Sequence, residues 1–294
     1  MLLEAPPPSK ICEHLEPRIG CLPVRPLDVL FERADLPRSG LPSHLLALYG
    51  GDFGVAREGL YANFVASVDG VVALAQKGES GGTVSGGSEA DRFVMALLRA
   101  CADAVVIGAG TFRHAPGDVW DAAHAYPAAA AAFGELRAAL GLSPRPQLVV
   151  LTDSGDLDVS QPALAGAIVA TTDQGAARLR SSVSAATRVA SLGAGRIGAS
   201  HLVGFLRAEG LRSVLTEGGP STLGDLLAGD VVDELFVTVS PRLFGRLDSD
   251  GRKGLVQGVD LAGRGLDLRS VRRHGGHLFL RYGLSRGRSP TAAT

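Results

Sequence analysis

From residue 58 onward, short apolar runs alternate with longer stretches whose apolar residues recur at helical spacing. YANFVAS and GVVALA predict two extended segments around an Asp69–Gly70 turn. EADRFVMALLRAC predicts a helix, because Phe93 and Leu97, like Val94 and Leu98, fall at i, i+4 on one face. DAVVIG reads as a buried strand. The theme then repeats through a helix near 127–140, the strands QLVVLT, AIVATT and TRVASL, a helix near 199–208, the strand SVLT, a helix near 221–228 and the long run DELFVTVSP. Such alternation predicts an α/β domain with a largely parallel sheet, to which HLFLRYGL adds a C-terminal strand. Residues 1–57, rich in proline and turn signals with the short helical candidate SHLLALYG, read as an irregular lead-in packed on a domain over 58–285. The last stretch, 286–294, reads as a flexible tail.

The 294 residues allow a sizeable core. With 29 Lys+Arg against 30 Asp+Glu the net charge is −1, so no global basic field points to nucleic acid. Cys12, Cys21 and Cys101 make an odd set without C-x-x-C, which argues against a disulfide framework and a cysteine-rich zinc site; no metal is expected. MLLEAPPPSK lacks an apolar stretch behind a basic one, and no apolar run approaches the roughly 18 residues of a membrane span. A soluble, cytoplasmic protein without a membrane partner is expected.

Three glycine turns follow strands. VVIGAGTF carries Gly108, Gly110 and Thr111, whose hydroxyl suits a phosphate or ribose; an ordinary tight turn has the same appearance. SLGAGRIGAS matches G-x-G-x-x-G through Gly193, Gly195 and Gly198, and Glu217 lies about 20 residues on, where a dinucleotide fold holds the adenosine ribose. That spacing supports a Rossmann-type NAD oxidoreductase centred on 193–198, against the chance match expected of a chain with 39 glycines. In TEGGPSTL, residues 216–223, an acid precedes a turn suited to anions. If the N–H groups of Gly218, Gly219, Ser221 and Thr222 face a phosphate, Glu217 serves a second ligand; as an isolated segment, it reads equally as a helix-start acid.

NFVASVDG at 63–70, LLRACADAVVIGAGT at 97–111 and LTEGGPSTLGDLLAGDVVDELFVTVSPRLFG at 215–245 together resemble the reductase domain of bacterial riboflavin biosynthesis, a pyrimidine reductase family with a dihydrofolate-reductase-like fold. The motifs run from about residue 60 to 245, the EGGP turn followed by VDEL…SP being the specific part. The resemblance implies an α/β fold with a mostly parallel central sheet flanked by helices. It implies NADPH held by Val65, by Gly108, Gly110 and Thr111, and by Gly218, Gly219, Pro220, Ser221, Thr222 and Leu223 on to Asp225. Substrate contacts are implied for Ser67, Ser80, Arg99 and Glu217, and Asp69 and Glu217 are the candidates for moving a proton. The implied reaction reduces a ribosylamino-pyrimidine, as in 5-amino-6-(5-phosphoribosylamino)uracil reductase, to its ribitylamino form. Residue types alone leave plainer readings: helix arginines are commonly solvated or salt-bridged, and Asp69 suits a tight Asp–Gly turn.

The chain departs from the family in two ways. His14 and Glu16 form an H-x-E, but without a following C-x-x-C the zinc deaminase often fused to these reductases is not expected. After GAGT the family continues with an acid, a proline and a substrate-binding arginine, where this chain reads FRHAPGDVW. That change leaves room for a related substrate, or for a catalytically silent nucleotide-binding protein of the same fold. The family forms homodimers, and DELFVTVSP is apolar enough for core or interface.

Overall fold

The computed structural model describes residues 25–74, 80–246 and 251–284. Ten strands form one sheet: β1 (Asp28–Glu32), β2 (Gly59–Ser67), β3 (Ala104–Gly108), β4 (Gln147–Thr152), β5 (Ile168–Thr171), β6 (Arg188–Ser191), β7 (Ser213–Thr216), β8 (Glu234–Ser240), β9 (Asp267–His274) and β10 (His277–Gly283). Their order is β1-β9-β10-β8-β2-β7-β3-β4-β5-β6. From β8 to β6 every neighbour is parallel, and β10, β9 and β1 extend the β8 edge in antiparallel fashion. The α/β fold with a mostly parallel sheet expected from the sequence is therefore present.

The parallel strands are buried on both faces, as crossover helices require; all of AVVIG in β3 and SVLT in β7 is buried. One face packs on α1 (Ser43–Tyr49), α3 (Glu89–Ala100) and α6 (Ala130–Ala139), where Phe93, Leu97, Leu98, Val105, Ile107 and Phe133 meet. The other packs on α8 (Ala199–Ala208) and α9 (Pro220–Ala228), around Ala62, Val106, Leu202, Leu206 and Leu226. Short helices α2 (Ser80–Ser85), α4 (Ala109–His114), α5 (Ala122–Ala125) and α7 (Asp173–Leu179) complete the order. No helix among the described residues is long and apolar enough to cross a membrane.

DELFVTVSP is core: β8 lies between β2 and β10 with six of its seven residues buried. The described part of GVVALA, residues 70–74, does not form the second expected strand. Gly70 turns the chain at φ +79, Ser67 N–H donates to Val71 O, and the residues after it pair only through an isolated bridge from Ala73 to Lys253. The segment read as an irregular lead-in contributes β1, which pairs with β9. DLRSVRRH in β9 lacks an apolar strand pattern; of its three arginines, Arg272 alone is buried. Buried Arg272 binds Glu32 at 2.5 Å and the Tyr49 carbonyl at 3.0 Å, with its guanidinium 3.7 Å from the Tyr49 ring centre. The tail at 286–294 lies outside the described residues.

Candidate functional site

Unequal strand lengths create the site. β2 pairs with β7 only over Gly59–Ala62, whereas on its other side it pairs with β8 up to Ser67 opposite Ser240. Past Ala62, the β2 edge that faces β7 has no strand beside it, which opens a notch over the carboxyl ends of β7 and β3. This is the point where parallel neighbours diverge to either side, the usual ligand position in an open α/β sheet. Side chains alternate across the sheet, so Asn63, Val65 and Ser67 share the face on which α3 packs.

The first wall of the notch is the TEGGPSTL turn. Glu217 N–H still pairs with Val106 O at 3.0 Å, extending β7 by one residue, and Glu217 lies on the α3 side, two residues beyond buried Leu215. Arg99, in the last turn of α3, donates from Nη2 to Glu217 Oε2 at 2.7 Å and from Nε to both carboxylate oxygens at 3.1 Å. Both side chains are buried, at 4% and 9% exposure, so each charge needs the other. Burial opposes the charge on Arg99, but the attraction of Glu217 holds its pKa above the ordinary arginine value. Arg99 Nη1 reaches the carbonyls of Val119 and Asp121 at 3.3 and 3.4 Å. Arg137 fastens the end of α3, donating to the carbonyls of Arg99, Ala100 and Ala102.

The second wall is a pair of glycine turns packed together. Gly219 is the N-cap of α9, which has no side-chain cap and no acid in its first turn. Pro220 lacks an N–H, and Gly218 N–H is taken by Thr216 Oγ1 at 3.3 Å, so the Gly219, Ser221 and Thr222 amides at the positive helix end are the ones left for an anion. Leu223, buried, anchors the helix in the core. Opposite, Gly108 caps α4, which carries Gly110 and Thr111. A Cβ on Gly108 would stand 2.6 Å from Thr222 Oγ1, one on Gly218 2.9 Å from Thr222 Cβ, and one on Gly219 3.6 Å from Thr111 Oγ1. Glycine at 108 therefore lets the two turns approach each other, and glycine at 218 lets its own turn close on Thr222; the free amides there are of the kind that bind a phosphate. The residues present fit a nicotinamide dinucleotide.

Asp69 and Ser67 occupy the hairpin turn beyond the notch. Ser67 Oγ donates to Asp69 Oδ1 at 2.5 Å and accepts from Val71 N–H. The Asp69 carboxylate also accepts from Phe244 and Gly245 N–H, the latter at 2.6 Å, tying the hairpin to the segment after β8. The Ser67 hydroxyl, followed by the backbone donors, holds the Asp69 pKa below the usual carboxylate value. Ser80 opens α2, and its side chain lies outside the described atoms.

The loop at 193–198 touches α9 through Arg196 but is not part of the two glycine turns. It comes after β6, the outermost strand, and open space surrounds the positions where side chains on Gly195 and Gly198 would be. Arg196 pairs with Asp225, and Ile197 N–H binds Asp153. An edge strand is not a switch point, and Glu217 is bound to Arg99, so neither feature supports the Rossmann NAD reading.

FRHAPGDVW folds back onto the site. His114 Nδ1 lies 2.7 Å from the Gly110 carbonyl, Arg113 donates to Asp156 O, Trp120 stacks on Phe112, and Val119 supplies a carbonyl to Arg99.

One acid facing β8 went unread in the sequence. Asp91 occupies the first turn of α3, its N–H bound to the capping Ser88 Oγ at 3.2 Å. Its carboxyl hydrogen-bonds Thr238 of β8, the register partner of Val65, and is within electrostatic reach of His277 and Glu217. Burial, only partly offset by Thr238, pushes its pKa up to about 6. The capping pattern S-x-x-D was visible, but such an acid ordinarily serves the helix end alone.

The RibD C-terminal domain family matches residues 59–280. Among solved structures, a pyrimidine reductase-like protein from Corynebacterium diphtheriae is similar at 23% identity and a TM-score of 0.64, over 84% of this chain and 96% of that one. A diaminohydroxyphosphoribosylaminopyrimidine deaminase/5-amino-6-(5-phosphoribosylamino)uracil reductase from Thermotoga maritima matches at 18% identity and a TM-score of 0.56, over 78% of this chain and 57% of that one. The riboflavin biosynthesis reductase Rib7 of Saccharomyces cerevisiae matches at 15% identity and a TM-score of 0.54, over 82% and 98% of the two chains. No curated protein matches. With three quarters of its length inside one family and the notch built from the motifs that suggested it, the chain belongs to the RibD C-terminal domain family, the riboflavin-pathway pyrimidine reductases.

Proposed function

We propose that this reductase uses NADPH to convert a ribosylamino-pyrimidine to the ribitylamino compound, with the dinucleotide along the Gly108–Thr111 and Gly218–Leu223 turns and the pyrimidine against Arg99 and Glu217. The observation that carries the reading is the adjacency of two unlike surfaces at the end of β7: amides without a side-chain cap after residue 219 and a buried Arg99–Glu217 pair just before it. The first suits a phosphate; the second offers fixed hydrogen-bonding groups to a ring or sugar hydroxyl.

When bound, the cofactor supplies hydride from nicotinamide C4. The chain's own work is orientation. The β2 edge at Val65 presents backbone groups to a planar carboxamide, Thr111 and Thr222 offer hydroxyls beside the phosphates, and Glu217, held by Arg99, fixes the substrate's hydroxyls. Asp69 and Ser67 position the floor of the cleft, since both side chains are engaged in the hairpin turn. We extend the proposal to a cytoplasmic homodimer: edge strand β1 leaves Val29, Leu30 and Phe31 exposed in succession, a surface that a second copy would cover.

The test is NADPH oxidation monitored at 340 nm with ribosylaminopyrimidines carrying or lacking the 5-phosphate. Turnover of either supports the reading, and the preference reports what replaces the family's arginine in FRHAPGDVW. NADPH binding without turnover of any member would mark the silent alternative.

A further inference from the structure

The arginines around the cleft differ in what already holds them. Arg99 is engaged by Glu217 and by the carbonyls of Val119 and Asp121. In the segment after β8, Arg246 Nη2 donates to the Gly70 carbonyl at 3.0 Å and Arg252 Nη1 to the Gly245 carbonyl at 3.0 Å, so both fasten the turn at Asp69. Arg242 is different. It is exposed, and among the described residues no carboxylate or carbonyl accepts from its guanidinium.

Its position is fixed all the same. The Arg242 carbonyl accepts from Val68 N–H at 2.9 Å, which joins it to the hairpin between Ser67 and Asp69. Its side chain lies against Gly86, just past the end of α2: a Cβ there would collide with Nε and stand 2.6 Å from Nη2. Glycine at this position, with φ +71, leaves the guanidinium its seat. The end of α2 is itself held, because His277 Nε2 lies 2.8 Å from the Ser85 carbonyl. The start of α2 lies over the open edge of β2, where a Cβ on Gly81 would be 3.9 Å from Val65 Cγ1. From Gly81 to Gly86 the helical rise is roughly 8 Å. With the nicotinamide beside Val65, a substrate that takes hydride at C1′ carries its 5-phosphate about 7 Å away along an extended five-carbon chain. The two lengths match.

We propose that Arg242 selects the phosphorylated substrate by gripping the 5-phosphate of the ribosylaminopyrimidine, an assignment that rests on the pyrimidine reductase reading above. It supplies the cation that the altered FRHAPGDVW segment does not, since Arg113 is held on the Asp156 carbonyl. A phosphate monoester gives the planar guanidinium two parallel N–H···O bonds and an opposite charge. Ring opening and hydride transfer leave the phosphate untouched, so the contact acts on binding and orientation and not on the bonds that change.

The experiment measures kcat and KM for a ribosylaminopyrimidine with and without its 5-phosphate in the wild type, Arg242→Met and Arg242→Lys. The NADPH-induced thermal shift checks folding and cofactor binding. The wild type is expected to favour the phosphorylated substrate in kcat/KM by about 10–100-fold, as one charge-assisted contact gives. Arg242→Met is expected to bring that ratio close to one through a higher KM for the phosphorylated substrate, and to keep the NADPH shift. Arg242→Lys, which retains the charge without the fork, is expected to fall between. A wild-type ratio near one, or an unchanged ratio in Arg242→Met, overturns the proposal while the pyrimidine reductase reading stands. So does an equal loss on both substrates, which is what support of the loop alone would give. Failure of the wild type to reduce either substrate overturns both.

Discussion

Arg99 and Glu217, 118 positions apart in the chain, meet in a buried pair with three donor–acceptor contacts of 2.7–3.1 Å. The pair joins the end of α3 to the end of β7 and so fixes the width of the notch between them. Removing one partner leaves a buried charge alone, which costs about 3–5 kcal/mol. Arg99→Ala should therefore lower the urea midpoint steeply at constant m-value, and the double variant Arg99→Ala/Glu217→Gln should recover part of that loss. Additive effects of the two substitutions would show that the charges are not coupled.

Asp91 predicts a pH dependence of stability. Folding raises its pKa from 3.8 to about 6, so the fold favours the protonated form. That stabilisation is whole below the unfolded value and is lost as pH rises through about 6. At pH 8 the wild type therefore keeps a covered charge at a cost of about 3 kcal/mol. Asp91→Asn should melt a few degrees higher than the wild type at pH 8, with the gap closing below about pH 4. A lower melting temperature at pH 8 would mean that the carboxylate serves the helix end more than it suffers from burial.

Cys101, at the C-cap of α3, is buried, and burial pushes its thiol pKa up to about 12. It should not react with a thiol reagent in the native protein at pH 8 and should react once urea unfolds the chain. Rapid native-state labelling would contradict the packing around the end of α3.

The fold was legible wherever strands are buried on both faces, because DAVVIG, SVLT and DELFVTVSP can be little else. The antiparallel edge was less so. β9 carries four charged residues in DLRSVRRH besides a histidine, and partners distant in sequence, Asp28, Glu32, Arg33, Tyr49 and Glu234, make them compatible with a strand. GVVALA illustrates the opposite error, an apolar run with no neighbouring strand beyond one bridge. At the site, the glycine turns and the Arg99–Glu217 pair come from motifs that sequence could join through resemblance alone. Asp91 was hidden because its surroundings, Thr238, His277 and Glu217, converge from three separate strands or strand ends.

The proposed cofactor is NADPH, and its preference over NADH is directly testable. NADPH should raise the melting temperature more than NADH at equal concentration, since a ligand stabilises the state it binds in proportion to its affinity. Equal shifts, or a larger shift with NADH, would contradict the proposed cofactor.

Everything proposed for the cofactor depends on the dinucleotide lying at the turn after Glu217 and not at the loop after β6. A Cβ at residue 218 meets Thr222 at 2.8–2.9 Å, whereas one at residue 195 meets nothing within 4 Å. The decisive experiment is NADPH titration, by quenching of protein fluorescence, of folded Gly218→Val and Gly195→Val. Binding should weaken at least about tenfold, a cost of roughly 1.4 kcal/mol, in the first and match the wild type in the second. Loss of binding in Gly195→Val with full binding in Gly218→Val would contradict this placement.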